Sequence, residues 1–212
     1  DAAVYLDYAA STPVEKRIWE RMIDVSEMTC ANPSSTHDAG VRSQAIIAQA
    51  AGQLASLLNA SPDCLVWTSG ATESDNLAII GGARYRAARG KHIVTMKTEH
   101  KAVTDAFEML ARSGFEVSWV EPGADGLLDP QEFAAALRKD TQLASIMFVN
   151  NETGVIQDIA ALGTICREHG VLFHVDAAQA VGKIHIDLQT LPVDLMSMTA
   201  HKCYGPKGIG AL

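Results

Sequence analysis

Short apolar runs alternate along the chain with longer segments in which apolar residues recur every three or four positions. Most of the short runs are rich in β-branched and aromatic residues, which predicts strands at 64–68, 92–96, 115–120, 144–149, 171–175 and 195–198. The longer segments predict helices over 41–58, 72–89, 101–113, from Pro130 onward, and over 160–169.

This alternation of strand and helix predicts the fold class. Nearly continuous apolar strands separated by amphipathic helices are typical of an α/β protein with a mostly parallel sheet and helices on both faces. Right-handed crossovers bring the carboxyl ends of parallel strands to one edge, where such folds bind ligands. We therefore expect the functional site among the residues that directly follow the strands.

Five of the six predicted strands are followed by residues with reactive or ligand-binding side chains. Together they predict one polar site at the carboxyl edge of the sheet. The residues are Thr72, His100, Asn151, Asp176 and Lys202, each in a short polar segment.

The segment Ser69-Gly70-Ala71-Thr72 lies between a strand and a helix. Unpaired N–H groups and the positive end of the helix dipole favour an anion at such a position. The competing interpretation is an ordinary helix cap, since Ser and Thr are common there. Neither a Walker P-loop nor a G-x-G-x-x-G fingerprint is present in the sequence.

Asp176 ends a strongly apolar strand, so its carboxylate needs a cation or a hydrogen-bond donor. A protonated ring nitrogen, as in pyridoxal phosphate sites, is one candidate partner. A metal ion is another, because His174 precedes Asp176 by two residues and His185 precedes Asp187 in the same way. No further ligands follow with a recognised spacing, so we favour local hydrogen bonding and expect no metal.

Lys202 and His100 have both an inert and a reactive interpretation. Most loop lysines are solvated, but a partly desolvated lysine at this edge could form a Schiff base with an aldehyde. A lone histidine is usually structural, whereas at a strand end it can stack on a flat ligand and exchange protons with it.

The net charge of the chain limits the kinds of ligand it can bind. The 212 residues carry a net charge of −8, which argues against nucleic acid and anionic membranes as ligands. Four cysteines without a C-x-x-C pair predict reduced thiols in a cytoplasmic protein. We also expect no secretory signal. We expect Cys30 and Cys203 to be accessible, and Cys64 and Cys166 to be packed.

Several of these segments, taken in order, resemble the cysteine desulfurases of iron–sulfur cluster assembly, which are fold-type I pyridoxal-phosphate enzymes. The resemblance extends over essentially the whole chain. The matching motifs are Tyr5-Leu6-Asp7-Tyr8-Ala9-Ala10-Ser11-Thr12-Pro13, Asn32-Pro33-Ser34-Ser35, Thr68 to Asn76, Thr98-Glu99-His100-Lys101, Val149 to Gly154, His174 to Gln179 and His201 to Gly208.

The resemblance implies a role for each site residue toward pyridoxal 5'-phosphate. Lys202 would bind the cofactor covalently and move protons, and His100 would stack on its ring and act in acid–base steps. Asp176 would pair with the pyridinium nitrogen. The phosphate would be held by Ala71, Thr72, Thr199 and His201, and the phenolic oxygen would be approached by Gln179 and Asn151.

The chain also departs from the family pattern. Thr199 replaces the usual Ser and keeps the hydroxyl, and Ala200 replaces the commoner Gly. The family's small domain, its persulfide-forming loop cysteine and its substrate-binding arginine have no counterpart here. We therefore expect residues 1–212 to form the cofactor-binding large domain, with the first 60 or so packing toward the small domain, which is absent.

The implied activity is removal of sulfur from L-cysteine to give L-alanine and a protein-bound persulfide. The resemblance further implies a homodimer and a sulfur-acceptor or scaffold protein as partners. A selenocysteine lyase, another lyase of the same fold, and a pyridoxal-binding interaction module without chemistry remain alternatives. We expect the 212 residues alone to be catalytically incomplete.

Overall fold

Helices and strands alternate through most of the computed structural model, which describes residues 3–212. The strands are β1 (Trp67–Thr68), β2 (His92–Met96), β3 (Glu116–Val120), β4 (Thr141–Met147), β5 (Leu172–Asp176), β6 (Leu195–Thr199) and β7 (Gly210–Ala211). The α-helices are α1 (Lys16–Met28), α2 (Asp38–Leu57), α3 (Ala71–Tyr85), α4 (Lys101–Arg112), α5 (Pro130–Ala136) and α6 (Ile159–His169). Within these residues, no helix has both the length and the apolar character needed to cross a membrane.

The seven strands described form one sheet in the order β1-β7-β6-β5-β4-β2-β3. Strands β2 to β6 pair in parallel. Strand β7 pairs antiparallel with both β6 and β1. The prediction of a mostly parallel α/β sheet is confirmed.

Two apolar cores, one on each face of the sheet, stabilise this arrangement. Successive strand residues point to opposite faces, so Ile93 joins one core and Val94 the other. The first core is filled by α3 and α4 and includes Phe107, and the second is filled by α5 and α6 and includes Phe133. Burying either phenylalanine contributes on the order of 1.5–3 kcal/mol.

Several element boundaries differ from the sequence prediction, and three of these differences have a clear structural cause. Strand β4 begins at Thr141 rather than at 144, because its polar first residues are buried beside β2. The predicted strand 64–68 shrinks to β1, since Pro62–Cys64 form a 3-10 helix. Helix α2 begins before Gly40, which lies inside it where the backbone of Ser35 leaves no room for a side chain.

Two elements were not predicted. Strand β7 has two residues, which is too short for a pattern. Helix α1 contains no buried residue, and Trp19, Met22 and Ile23 are 49, 42 and 56% exposed. An apolar stripe with helical spacing is present in α1, but among residues 3–212 nothing covers it.

The cysteines are all free thiols. Cys30 is exposed and Cys166 is buried, as expected. The prediction that Cys64 is packed was wrong, because this residue ends the surface 3-10 helix instead of entering a strand. Cys203 is half-buried, and its Sγ lies 3.3 Å from the carbonyl oxygen of Ala200.

Candidate active site

A cavity of about 750 Å³ opens at the carboxyl edge of the sheet. The structure brings all nine predicted site residues to its wall, although their roles toward a ligand stay predictions. These residues are Ala71, Thr72, His100, Asn151, Asp176, Gln179, Thr199, His201 and Lys202.

The amino terminus of α3 forms one end of the cavity. Gly70 precedes the helix with φ +155° and ψ −179°, and no side chain caps it. The carboxylate of Glu73 turns back to accept hydrogen bonds from the Ser69 N–H and hydroxyl, both at 2.6 Å. The first N–H groups of the helix and the hydroxyl of Thr72 are therefore available, which favours an anion there over an ordinary cap.

Strand β6 and the turn after it add polar groups beside this helix terminus. Thr199 is buried, and its Oγ1 lies 3.7 Å from the position that a side chain on Gly70 would occupy. His201 is half-buried, and its Nδ1 lies 3.3 Å from the Ser11 hydroxyl. Burial lowers the pKa of His201, and nearby Lys202 lowers it further.

Asp176, at the end of β5, lies at the floor of the cavity and is 5% exposed. Its Oδ1 accepts a hydrogen bond from the Ala178 N–H at 2.9 Å. Burial raises the pKa of this carboxyl, while the Ala178 N–H and the nearby His100 and Lys202 lower it. A cation bound in the cavity would stabilise the ionised carboxylate.

Lys202 lies in the short 3-10 helix Ala200–Lys202 that follows β6. Burial lowers the pKa of its amine, and the negative charges of Asp176 and Asp75 oppose this. A lysine with a lowered pKa is more often unprotonated, which is the form that attacks an aldehyde.

His100 caps helix α4. Its Nδ1 accepts a hydrogen bond from the Ala102 N–H at 3.1 Å. In the neutral ring this assigns the proton to Nε2. Nε2 is therefore the atom that can exchange a proton with a ligand.

Two amides complete the predicted set. Gln179 donates from Nε2 to the Ala9 carbonyl at 2.7 Å and accepts from Lys183 Nζ at 2.7 Å. Its second amide hydrogen is the one left for a ligand. Asn151 donates to the carboxylate of Glu152 at 2.8 Å.

Two buried acids near this site could not be recognised from the sequence. Asp75 lines the cavity from α3, is 1% exposed, and neither of its oxygens finds a hydrogen-bond donor among residues 3–212. Burial and the charge of Asp176 raise the pKa of Asp75 to about 8. Glu99 accepts from the Met147 N–H at 2.8 Å, and burial raises its pKa well above the usual range.

The amino-terminal wall of the cavity was not predicted either. Asp7, Ala9, Ala10 and Ser11 all line it. Their distance along the chain from the strand ends hid this contact. The only signal was their place in a motif shared with the resembling family.

The histidine–aspartate pairs considered as metal ligands have other partners. Both nitrogens of His174 lie 2.8 Å from serine hydroxyls, Nδ1 from Ser145 and Nε2 from Ser197. Asp187 accepts from the Asn59 amide and from the Gln189 N–H. Within residues 3–212 no three His, Cys, Asp or Glu side chains cluster as metal ligands would.

The cavity therefore combines a helix terminus that favours an anion, a partly desolvated amine and buried acids whose pKa values are raised. This combination suits a ligand that carries an anionic group, an aldehyde and a basic ring. The amine can bond the aldehyde, and the acid can pair with the protonated ring.

The chain is similar in sequence to a known protein family and to several curated proteins. The family model described as aminotransferase class-V matches residues 4–212. The chain is 60% identical over 210 residues to the cysteine desulfurase IscS of Methylococcus capsulatus, covering 99% of this chain and 52% of that protein. It is 55% identical over 212 residues to the cysteine desulfurase IscS of Azotobacter vinelandii, with the same coverage. The chain thus spans about half the length of the curated relatives it matches.

Solved structures also superpose on nearly the whole of this chain. A structure titled "SspA in complex with cysteine" superposes with a TM-score of 0.95 at 42% identity, covering 99% of this chain and 60% of that one. A NifS-like protein superposes with a TM-score of 0.96 at 37% identity, covering 99% and 58%.

Proposed function

Because the chain belongs to the aminotransferase class-V family, we propose that it is the cofactor-binding portion of a pyridoxal-phosphate-dependent cysteine desulfurase. The reaction would take sulfur from L-cysteine, leave L-alanine and produce a persulfide on a protein thiol. Relatives named as cysteine desulfurases at 55–60% identity support this, as does a neighbouring structure described as a complex with cysteine. The single observation that carries the proposal is the meeting of Lys202, Asp176 and the uncapped helix α3 in one cavity.

The residues present fit pyridoxal 5'-phosphate. Its phosphate matches the amino terminus of α3, where Thr72, Thr199 and His201 add polar groups. Its aldehyde needs an amine, and Lys202 is the cavity lysine at a strand end. Its ring nitrogen needs an acid, and Asp176 supplies one whose Oδ2 has no hydrogen-bond donor among the described residues.

When bound, this cofactor supplies an electron sink for the carbon atom that loses its proton. Lys202 holds it and moves a proton at Nζ. The Asp176 carboxylate would keep the ring nitrogen protonated, since burial strengthens its pairing with a cation. His100 exchanges a proton at Nε2, because Nδ1 is used in capping α4. The amino terminus of α3, with Ala71 and Thr72, orients the phosphate of the cofactor.

Residues outside this chain would complete the enzyme. We infer that 1–212 is the large domain, since the relatives are about twice as long. The uncovered apolar side of α1 supports the expectation that the amino-terminal segment packs against further protein; residues 1 and 2 of that segment lie outside the described part. The persulfide cysteine, a second subunit, a sulfur acceptor and a cytoplasmic location belong to the same proposal.

An absorbance titration tests the proposal. The chain is loaded with pyridoxal 5'-phosphate, and L-cysteine is added. A shift of the cofactor band that L-alanine amide does not reproduce supports a desulfurase half-site, and an unchanged band indicates an inert binding module. We expect little turnover from 1–212 alone, so sulfide release at the rate of a complete enzyme would contradict our view that it is incomplete.

Selenocysteine is the competing substrate. The same titration with L-selenocysteine distinguishes a selenocysteine lyase. A cofactor band that responds to selenocysteine and not to cysteine would overturn the desulfurase assignment while retaining the cofactor.

A further inference from the structure

The turn that carries Lys202 is not held by its own hydrogen bonds alone. Within the turn, the N–H groups of Cys203 and Gly205 both donate to the Ala200 carbonyl, at 3.0 and 2.9 Å. Tyr204 has φ +63°, a left-handed conformation that is unfavourable for a residue with a side chain. These local bonds use neither the carbonyl of His201 nor the N–H of Tyr204.

Thr12 satisfies both of these groups. Its N–H and its hydroxyl donate to the His201 carbonyl, at 2.8 and 2.9 Å. The same hydroxyl accepts from the Tyr204 N–H at 2.8 Å. Thr12 is 8% exposed, so these bonds are shielded from water. One side chain therefore binds the backbone on both sides of Lys202.

Neighbouring residues extend this contact. We call residues 9–15 the amino-terminal strap. The Glu15 N–H donates to the Tyr204 carbonyl at 3.0 Å, and the Ser11 hydroxyl lies 3.3 Å from His201 Nδ1. The Ala9 carbonyl accepts from Gln179 at 2.7 Å. The strap thus contacts the lysine turn and a second predicted cofactor residue.

We propose that Thr12 is a positioning residue that fixes the Lys202 amine in the cavity by holding the backbone of residues 201 and 204. Thr12 itself touches neither the amine nor the cavity. The flexible side chain of Lys202 reaches a defined place only if its backbone is fixed, and displacements of about 1 Å at a reactive group are costly. The proposal rests on the proposed function only in taking Lys202 as the reactive amine.

Substitutions at Thr12 separate positioning from general stability. Thr12→Val keeps the shape, removes the hydroxyl and leaves the Tyr204 N–H without an acceptor, whereas Thr12→Ser keeps the hydroxyl. The control is Thr141→Val. Thr141 is also buried, and its hydroxyl lies 2.6 Å from His92 Nδ1 and 2.6 Å from the Arg138 N–H, at the opposite end of β4 from the cavity.

Two readouts are used on the full chain. Competitive acylation of ligand-free protein with acetic anhydride, followed by peptide mapping, reports the titration of Lys202. The charged groups around this amine are Asp176, Asp75, Glu152 and Lys183, and none of them is altered. The second readout is the affinity for pyridoxal 5'-phosphate, measured by absorbance.

In Thr12→Val we expect Lys202 to titrate closer to an ordinary lysine and the affinity for pyridoxal 5'-phosphate to fall about tenfold, because a misplaced amine bonds the cofactor less readily. Thr12→Ser and Thr141→Val should behave as wild type in both readouts. An unchanged Thr12→Val protein, or an equal effect of Thr141→Val, would overturn the proposal.

A further measurement applies if Thr12→Val does not fold. In wild type, the Tyr204 amide should exchange with deuterium far more slowly than the exposed Gly208 amide, and equal rates would overturn the proposal. Failure of the proposed function would look different. Pyridoxal 5'-phosphate would then not bind to wild-type Lys202, while acylation would still show the effect of Thr12→Val on the titration of this amine.

Discussion

Asp75 on α3 and His174 on β5 face each other inside the protein, with the carboxylate Oδ1 3.6 Å from the imidazole Nε2. Burial lowers the pKa of His174 to about 3, and burial together with the charge of Asp176 raises the pKa of Asp75 to about 8. The His174 ring is therefore neutral at pH 7, and the contact is not an ion pair. An unpaired buried acid in the wall of a cavity destabilises the fold, which is typical of functional sites.

The first prediction concerns Asp75→Asn in the ligand-free chain. Because the folded state raises the pKa of Asp75, wild type loses stability as pH rises from about 4, the usual Asp value, to about 8. The variant lacks this loss. Urea unfolding should therefore show a variant that matches wild type near pH 4 and is more stable by about 2 kcal/mol or more at pH 8.

Asp24→Asn, at an exposed position on α1, is the control; it keeps Asp75, so its stability should follow that of wild type across this pH range. A gap between Asp75→Asn and wild type that closes as pH rises would contradict the sign of the Asp75 shift.

The second prediction concerns the anion site at α3. Gly70 has a positive φ, so Gly70→Ala strains the backbone by about 1–3 kcal/mol and displaces the N–H groups that face the cavity. Thr72→Val removes only the hydroxyl. Both variants should lower the affinity for inorganic phosphate and for pyridoxal 5'-phosphate about tenfold, measured by calorimetry.

Gly81→Ala is the matched control. Gly81 lies within α3, and a side chain there would meet nothing within 4 Å, so the variant should gain about 0.5–1 kcal/mol and bind phosphate normally. Unchanged phosphate binding in Gly70→Ala would contradict the proposal that the amino terminus of α3 binds an anion.

The third prediction separates the two uses of His100. Asparagine is a good helix cap, so His100→Asn should preserve the stability of α4 while removing the ring that exchanges protons. His100→Ala should lose the cap as well, at about 0.5–2 kcal/mol. With the cofactor bound, both should slow the exchange of the substrate Cα proton for deuterium, measured by NMR. A normal rate in His100→Asn would assign His100 a purely structural role.

The sequence predicted much of this molecule, because strand ends in a parallel sheet must meet at one edge. Lys202, Asp176 and Thr72 could be grouped by that rule alone. Asp75 could not, since it lies within the first turns of an amphipathic helix and nothing local distinguishes it from a surface acid. The contact of Thr12 with the Lys202 turn could not be predicted for a different reason. Its partners lie about 190 residues away along the chain, and only tertiary structure brings them together.

The boundary errors have local causes. Thr141 and Gln142 are polar yet begin a buried strand, so a hydrophobic pattern starts too late. Cys64 is predicted to begin a strand, but it ends the 3-10 helix that starts at Pro62. In each case packing or backbone geometry outweighed the apolar pattern.

Reductive trapping tests the central claim most directly. The chain is incubated with pyridoxal 5'-phosphate, reduced with borohydride, digested and mapped by mass spectrometry. We expect one dominant adduct, on Lys202, which Lys202→Arg abolishes and Lys183→Arg leaves intact. Label spread evenly over the exposed lysines, or no label on residue 202, would contradict it.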